Sequence, residues 1–254
     1  MPRFLAPLAD VPGFRMAMRS GRPLAAAVLL VALTAYYLAA EHLPGVPLWT
    51  DAVLASALII PCVFAFTLLA LPLRTWRGLV AVAGALVVLA VAWDLAGWEI
   101  PSNFAKFAAL TAFGLWFLGF FERLNWVVLV AAIIPLVDSL SVWRGPTNEI
   151  VSERPEVFDA LSIAFPVPEA GSFNLGLPDV LFFAVFLAAA DRWRLRVPLT
   201  WVAMTASFGA TLAIALAWDP FDLGGLPALP LLSLAFLAAN ADLLWTELRA
   251  SARR

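Results

Sequence analysis

The chain has 254 residues, of which 63% are hydrophobic and 13% charged, with a formal net charge of -2 and a mean hydropathy of +0.91. A soluble domain of this size lacks the polar surface to cover so much apolar material, and the absence of a basic cluster with interleaved aromatic residues excludes a nucleic-acid-binding protein. A single cysteine, Cys62, excludes an intrachain disulfide, and with only one histidine, His42, a thiolate or imidazole metal site is not expected.

Apolar runs of about 20 residues, the length that a helix needs to cross a bilayer, recur along the whole chain. The first run follows four arginines but is too long for a usual signal peptide, so we interpret it as an uncleaved membrane helix. Hydropathy therefore predicts an all-α polytopic membrane protein, a single membrane domain over 1–254 with about eight transmembrane helices. The predicted spans are 23–40, 51–73, 79–97, 103–121, 126–143, 174–191, 199–217 and 225–245.

Basic residues are distributed unequally between the two sides of this predicted bundle. Most of the 16 lie in the N-terminus, the C-terminal tail and alternate connections, whereas the opposite connections hold only Arg144 and Arg154. The positive-inside rule then places both termini in the cytoplasm and the long acidic loop 144–173 outside.

Two aspartates lie within predicted spans on either side of that loop. Asp138 occurs in "IIPLVDSLSVW" and Asp179 in "LGLPDVLFF". Each is about five residues from the outer end of its helix, or roughly 7–8 Å below the same surface. The two helices are consecutive and antiparallel, so the carboxyl groups can face one another. Such a pair shares a proton in a low-dielectric site, and this is the chemistry of an aspartic protease.

Other interpretations of the two aspartates stay open at this point. Each aspartate can cap a helix or contact water from the outer side. Pro178 fits a first helical position, and Asp179 would follow in the first turn, where a negative charge suits the helix dipole. A proton-coupled transporter also places carboxylates within spans.

Three segments resemble the motifs of presenilins and signal peptide peptidases, the intramembrane aspartyl proteases with a Gly-x-Gly-Asp motif. "LVDSLSVW" resembles the first aspartate motif, and its "DSLSVW" part is similar to Asp-Ala-Ile-Ser-Val-Tyr in archaeal members. "LGLPDVLFF" resembles the Gly-x-Gly-Asp motif, and "GLPALPLL" contains the Pro-Ala-Leu signature of the last helix. The motifs occur in the family's order, with the long loop between the first two.

The resemblance implies a presenilin-like helical bundle that cleaves peptide bonds within or near transmembrane segments, without metal or organic cofactor. It implies a divergent, prokaryotic-like member in the cytoplasmic membrane, whose partners are the bilayer and transmembrane protein or peptide substrates. The N-terminal helices would occupy 1–125 and the catalytic motifs 126–254. The segment "LSIAFPVP" would supply a strand that pairs with unwound substrate. The implied catalytic residues are Asp138 and Asp179, and the implied substrate-binding residues are Gly176, Leu177, Pro178, Pro227, Ala228 and Leu229.

The sequence departs from the family pattern at two positions beside the aspartates. Val137 stands where the family has tyrosine, and Pro178 stands where it has glycine. Proline removes the backbone freedom of glycine and one N–H donor. We also count eight spans where the family usually has nine. These departures motivate an alternative, a catalytically inactive member that still binds membrane helices.

Further polar residues near span ends have structural interpretations. Asp94 and Lys106 flank one short outer connection and should form an ion pair or extend to the interface. Asp191 should pair within the adjacent basic segment "RWRLR". Asn240 and Asp242 should be solvated near the cytoplasmic end of the last span.

Overall fold

The computed structural model describes residues 21–40, 42–45, 47–144, 162–167, 171–217 and 227–252. A π-helical turn, Ala55–Ile59, joins the helices Leu48–Leu54 and Ile60–Ala70, and 3-10 turns at Leu71–Thr75 and Leu118–Phe120 follow the helices Ile60–Ala70 and Glu99–Phe117. The elements in chain order are α1 (Arg22–Ala40), α2 (Leu48–Leu54), α3 (Ile60–Ala70), α4 (Leu79–Leu95), α5 (Glu99–Phe117), α6 (Leu124–Arg144), β1 (Ser162–Val167), β2 (Gly171–Gly176), α7 (Leu177–Arg192), α8 (Val197–Ala217), α9 (Leu229–Ala239) and α10 (Ala241–Ala252).

Several of the described helices are long and apolar enough to cross a membrane. Five qualify singly, and α9 with α10 would make a sixth if the bent pair counts as one span. The chain is therefore an α-helical protein of the integral membrane type. Eight spans remain a prediction, because α4 has 17 residues and α7 has 16. The five single segments are Arg22–Ala40, Trp49–Thr75, Glu99–Phe120, Leu124–Ser141 and Val197–Ala215.

A two-stranded antiparallel hairpin lies between α6 and α7 in the otherwise helical chain, and its first strand falls in the segment "LSIAFPVP" that was expected to be a strand. Its strands pair from Ser162 opposite Gly176 to Val167 opposite Gly171. The predicted loop 144–173 thus contains strand structure, and its residues 145–161 and 168–170 lie outside the described part of the chain. The sixth predicted span starts at Leu177 instead of residue 174, because Gly176 has an extended backbone and a proline follows in the first helical turn.

Helix α7 lies at the centre of the bundle. Val180 and every residue from Phe183 to Ala190 are fully buried. The helix contacts α5, α6, α8 and α9, so its apolar residues are covered on all sides by protein. Its length of about 24 Å, at 1.5 Å per residue, therefore need not match the thickness of the hydrocarbon layer.

Close contacts of aromatic rings and small residues hold α7 in this position. The ring of Phe64 on α3 stacks on Phe183 of α7 at a centroid distance of 4.0 Å and on Phe208 of α8 at 4.7 Å. On α5, Gly114 faces α7 so closely that an added Cβ would lie 2.7 Å from the carbonyl oxygen of Leu181. Only glycine permits this approach of two helix backbones.

The bundle end opposite the hairpin contains a network of polar contacts that corrects two predictions. Asp191 pairs with Arg74 and not within its own basic segment. Asn240 is fully buried instead of solvated, and its side-chain amide donates to Thr200 Oγ1 at 2.8 Å. Asp242 accepts two hydrogen bonds from the Arg196 guanidinium, at 2.7 and 2.6 Å.

Asn240 also marks a break in the last predicted span. The chain bends by 73° between α9 and α10, so residues 225–245 are not one straight helix. The Asn240 Oδ1 accepts a hydrogen bond from the Arg196 backbone N–H at 3.0 Å. This contact ties the break to the start of α8.

The ion pair expected between Asp94 of α4 and Lys106 of α5 is confirmed. Lys106 Nζ lies 3.9 Å from Asp94 Oδ1. The ammonium group is largely covered while the carboxylate is half exposed, as expected for a charged pair near a membrane boundary.

Candidate active site

Asp138 lies in the second half of α6 and is half-buried. Its Oδ2 accepts a hydrogen bond from the backbone N–H of Leu229 at 3.3 Å. Leu229 is the first residue of α9, where backbone N–H groups have no partner within the helix. The carboxylate of one helix therefore caps the N-terminus of another, where the helix dipole favours a negative charge.

Asp179 is the third residue of α7, three positions closer to the helix start than predicted. Its carboxyl group accepts a hydrogen bond from the backbone N–H of Gly176, the N-cap residue. This is the reach-back contact that an acidic residue makes in a capping box. A Cβ on Gly176 would lie 3.0 Å from Asp179 Oδ2, so glycine leaves room for the carboxyl group.

The structure places the two aspartates in the same region of the helix bundle. Asp138 and Asp179 are close enough for their carboxyl groups to interact electrostatically. Helix α6 packs along α9 and also contacts α7, and α7 contacts α9. Three helices from separate parts of the chain thus converge at the pair.

The other residues implied by the family resemblance lie at the start of α7 and at the start of α9. Leu177 is half-buried and packs against the core, whereas Pro178 is exposed. Pro227 and Ala228 come directly before α9, and Leu229 is buried. Through the Leu229 N–H, the Pro-Ala-Leu segment touches Asp138. The three motifs therefore meet in space although 91 residues separate Asp138 from Leu229.

The segment predicted to supply a substrate-pairing strand forms β1, but its outer edge is occupied. Tyr36 Oη donates to the Pro166 carbonyl at 2.7 Å, and Tyr37 Oη donates to the Ala164 carbonyl. Asn103 Nδ2 donates to the same Ala164 carbonyl at 3.3 Å. Sequence reasoning missed these three residues, although the chain's two tyrosines are adjacent at the end of the first span.

This arrangement can perform acid–base chemistry. Two neighbouring carboxyl groups that hold one proton offer both a base and an acid to a bound water molecule and a carbonyl group. Among the described residues, no group of three or more histidine, cysteine or acidic side chains is placed to hold a metal ion.

No protein-family model matches the chain, and no significant match was found among curated proteins or among solved structures. The likeness to presenilins and signal peptide peptidases therefore depends on the three motifs and on their meeting in the folded chain.

Proposed function

We propose that this chain is an intramembrane aspartyl protease of the presenilin and signal peptide peptidase type, with Asp138 and Asp179 as its catalytic residues. One observation carries the proposal. The two carboxyl groups lie within electrostatic range of each other, and the Asp138 carboxylate accepts a hydrogen bond from the Leu229 backbone N–H in the Pro-Ala-Leu segment. If the two carboxylates only capped separate helices, nothing would require both of them to lie near the Pro-Ala-Leu segment.

In the proposed reaction, the two carboxyl groups hold one proton between them. The ionised group takes a proton from water as the water oxygen attacks the peptide carbonyl carbon. The protonated group gives its proton to the carbonyl oxygen, so a gem-diol forms. When the C–N bond breaks, the nitrogen receives a proton from the dyad and a gem-diol hydroxyl returns one. The dyad again holds one proton, and the two roles belong to the pair as a unit.

Substrate recognition in this proposal uses the outer edge of β2. A peptide bond in an intact helix is shielded, and an unwound segment must satisfy its backbone groups by pairing with a strand. The outward carbonyls of β1 already accept side-chain hydrogen bonds, which revises the expectation that β1 pairs with substrate. No comparable contact covers Ser172 or Asn174 among the described residues. Strand β2 also leads directly into α7 and Asp179.

We further propose eight spans in a cytoplasmic membrane, with both termini in the cytoplasm. Cysteines placed at Thr147 and Ser251, in a chain whose Cys62 is replaced by alanine, should react with an impermeant thiol reagent from opposite sides. The basis is the unequal distribution of arginines, which follows the positive-inside rule. Labelling of both cysteines from one side would refute the eight-span topology.

Pro178→Gly restores the family motif at an exposed position in the first turn of α7. We expect it to lower the free energy of unfolding by about 0.4–1 kcal/mol, because glycine gives the unfolded chain more freedom. Cleavage of a model transmembrane substrate should rise or stay unchanged, since the approach to Asp179 becomes freer. Loss of a measurable wild-type activity in a folded variant would contradict the alignment of Pro178 with the family glycine.

An inactive, helix-binding relative is the second candidate, favoured by Val137 and Pro178 beside the aspartates. A transition-state analogue, a peptide isostere with a hydroxyl group at the scissile position, tests the active site directly. It should raise the melting temperature of the wild type, with stabilisation of about 2.7 kcal/mol at 100 times its Kd. Asp138→Asn and Asp179→Asn should show no such shift. No shift for the wild type would contradict a working aspartyl site.

A further inference from the structure

The β-hairpin is attached to two helices by a set of contacts that the reaction itself does not require. Tyr36 and Tyr37 lie near the end of α1, and Asn103 lies in the first half of α5. Their three polar groups converge on the carbonyls of Ala164 and Pro166, from 61 to 130 residues away in sequence. We call Tyr36, Tyr37 and Asn103 the hairpin clamp.

The two tyrosines reach β1 from adjacent positions in one helix. Adjacent helical residues point about 100° apart, whereas the two carbonyls lie two residues apart along the strand. Both tyrosine hydroxyl groups can reach their carbonyls because β1 contacts the end of α1. The Tyr37 ring also lies 5.6 Å from Phe104 and 5.9 Å from Phe165, so ring packing fixes the position of its hydroxyl group.

The backbone pattern of β1 suits this attachment. Alternate residues of a strand direct their backbone groups to opposite edges, and Ala164 and Pro166 share the edge that faces away from β2. Proline has no N–H to offer, so Pro166 costs the hairpin no ladder bond at this outward position. The clamp therefore occupies one edge of the hairpin without disturbing the pairing with β2.

The hairpin connects the clamp residues to Asp179 through its second strand. Ser162 of β1 pairs with Gly176 of β2, and the Gly176 N–H donates to the Asp179 carboxyl group. No residue separates β2 from α7. A shift of β1 therefore moves Gly176, and with it the hydrogen bond that orients the carboxyl group.

We propose that the hairpin clamp positions Asp179, so that α1 and α5 set the geometry of the dyad through the hairpin. Tyr36, Tyr37 and Asn103 are positioning residues in this proposal and touch neither the carboxyl groups nor a substrate. The catalytic consequence rests on the proposed protease function, whereas the structural link from the clamp to Gly176 does not.

The double variant Tyr36→Phe/Tyr37→Phe tests the proposal, because phenylalanine keeps both rings and removes only the two hydroxyl groups. Ser102→Ala is the matched control. Ser102 is buried next to Asn103, and its hydroxyl group donates a hydrogen bond of 3.0 Å to the Ala90 carbonyl. The substitution removes this bond, which joins α5 to α4 and does not involve the hairpin. The single variant Tyr37→Phe replaces the double variant if the latter does not fold.

Hydrogen–deuterium exchange of the purified protein gives the first readout. The amides of the hairpin, including Gly176, should exchange about tenfold faster in the double variant, and no faster in Ser102→Ala. The second readout is the cleavage of a model transmembrane substrate. The value of kcat should fall about tenfold while KM changes less than twofold, because the outer edge of β2 is untouched.

The two readouts distinguish a failure of the hairpin clamp from a failure of the proposed protease function. Unchanged exchange at Gly176 in the folded double variant overturns the clamp, whatever the enzyme activity. Equal losses of kcat in the double variant and in Ser102→Ala also overturn it, because a general loss of stability then explains both. A wild-type protein that cleaves nothing refutes the proposed function, and the exchange of Gly176 still decides whether the clamp holds it.

Discussion

Asp138→Asn and Asp179→Asn should each reduce the cleavage of a model transmembrane substrate by a factor of at least about 10³, because neither variant leaves a carboxyl pair that shares a proton. Asparagine has the shape of aspartate and keeps one acceptor oxygen. It can therefore still accept from Leu229 in one variant and from Gly176 in the other. The fold should consequently be retained, and the rate constant for cleavage by purified protein is the measurement.

Asp94→Asn is the control for the loss of a carboxylate near the membrane boundary. Asp94 forms a partly exposed ion pair with Lys106 between α4 and α5. Its replacement should leave the cleavage rate within about twofold, because pairs of this kind contribute little. Activity that survives in either dyad variant, or disappears equally in Asp94→Asn, would exclude the two-carboxylate mechanism.

Gly114→Ala should destabilise the bundle by about 1–3 kcal/mol, the usual cost of overfilling a packed core. The added methyl group would lie 2.7 Å from the Leu181 carbonyl oxygen and 2.8 Å from the Ala184 Cβ. Neither neighbour can turn aside, because one is backbone and the other is a methyl group on a fully buried helix. Thermal or denaturant unfolding of the purified protein in detergent measures the change.

Gly84→Ala on α4 provides the matched control for the glycine at the helix contact. A Cβ at Gly84 meets nothing within 4 Å, so only helix propensity changes there. We expect no loss of stability, and a gain of up to about 1 kcal/mol. Equal stabilities for the two alanine variants would show that α5 and α7 do not approach each other as closely as described.

The positions of the helices could largely be predicted from the sequence, because apolar run length is a strong local signal. The same signal failed where a tertiary contact sets the boundary. Residues 225–245 have the hydropathy of one span, but the chain breaks at Asn240, whose side chain bonds to Thr200 and to the Arg196 backbone. Those partners lie 40 and 44 residues away in the sequence, so they fall outside the window over which hydropathy is averaged.

The candidate site was predictable in part. Motif order and two consecutive antiparallel helices pointed to one region for Asp138 and Asp179, but Asp179 lies nearer its helix start than the predicted matched depth. The hydrogen bond from Leu229 to Asp138 was not predictable, since it depends on where α9 begins relative to α6. The hairpin clamp was likewise hidden, because Tyr36 lies 130 residues from the carbonyl that it contacts.

Cleavage in water enriched in oxygen-18 is the most direct test of intramembrane aspartyl proteolysis by this chain. Purified wild-type protein, reconstituted in lipid vesicles with a model transmembrane substrate, is incubated and the products are identified by mass spectrometry. We predict two fragments that meet at a bond within or near the membrane segment, with the heavy oxygen in the new C-terminal carboxyl group. Intact substrate after prolonged incubation, or the same fragments from Asp138→Asn, would contradict the central claim.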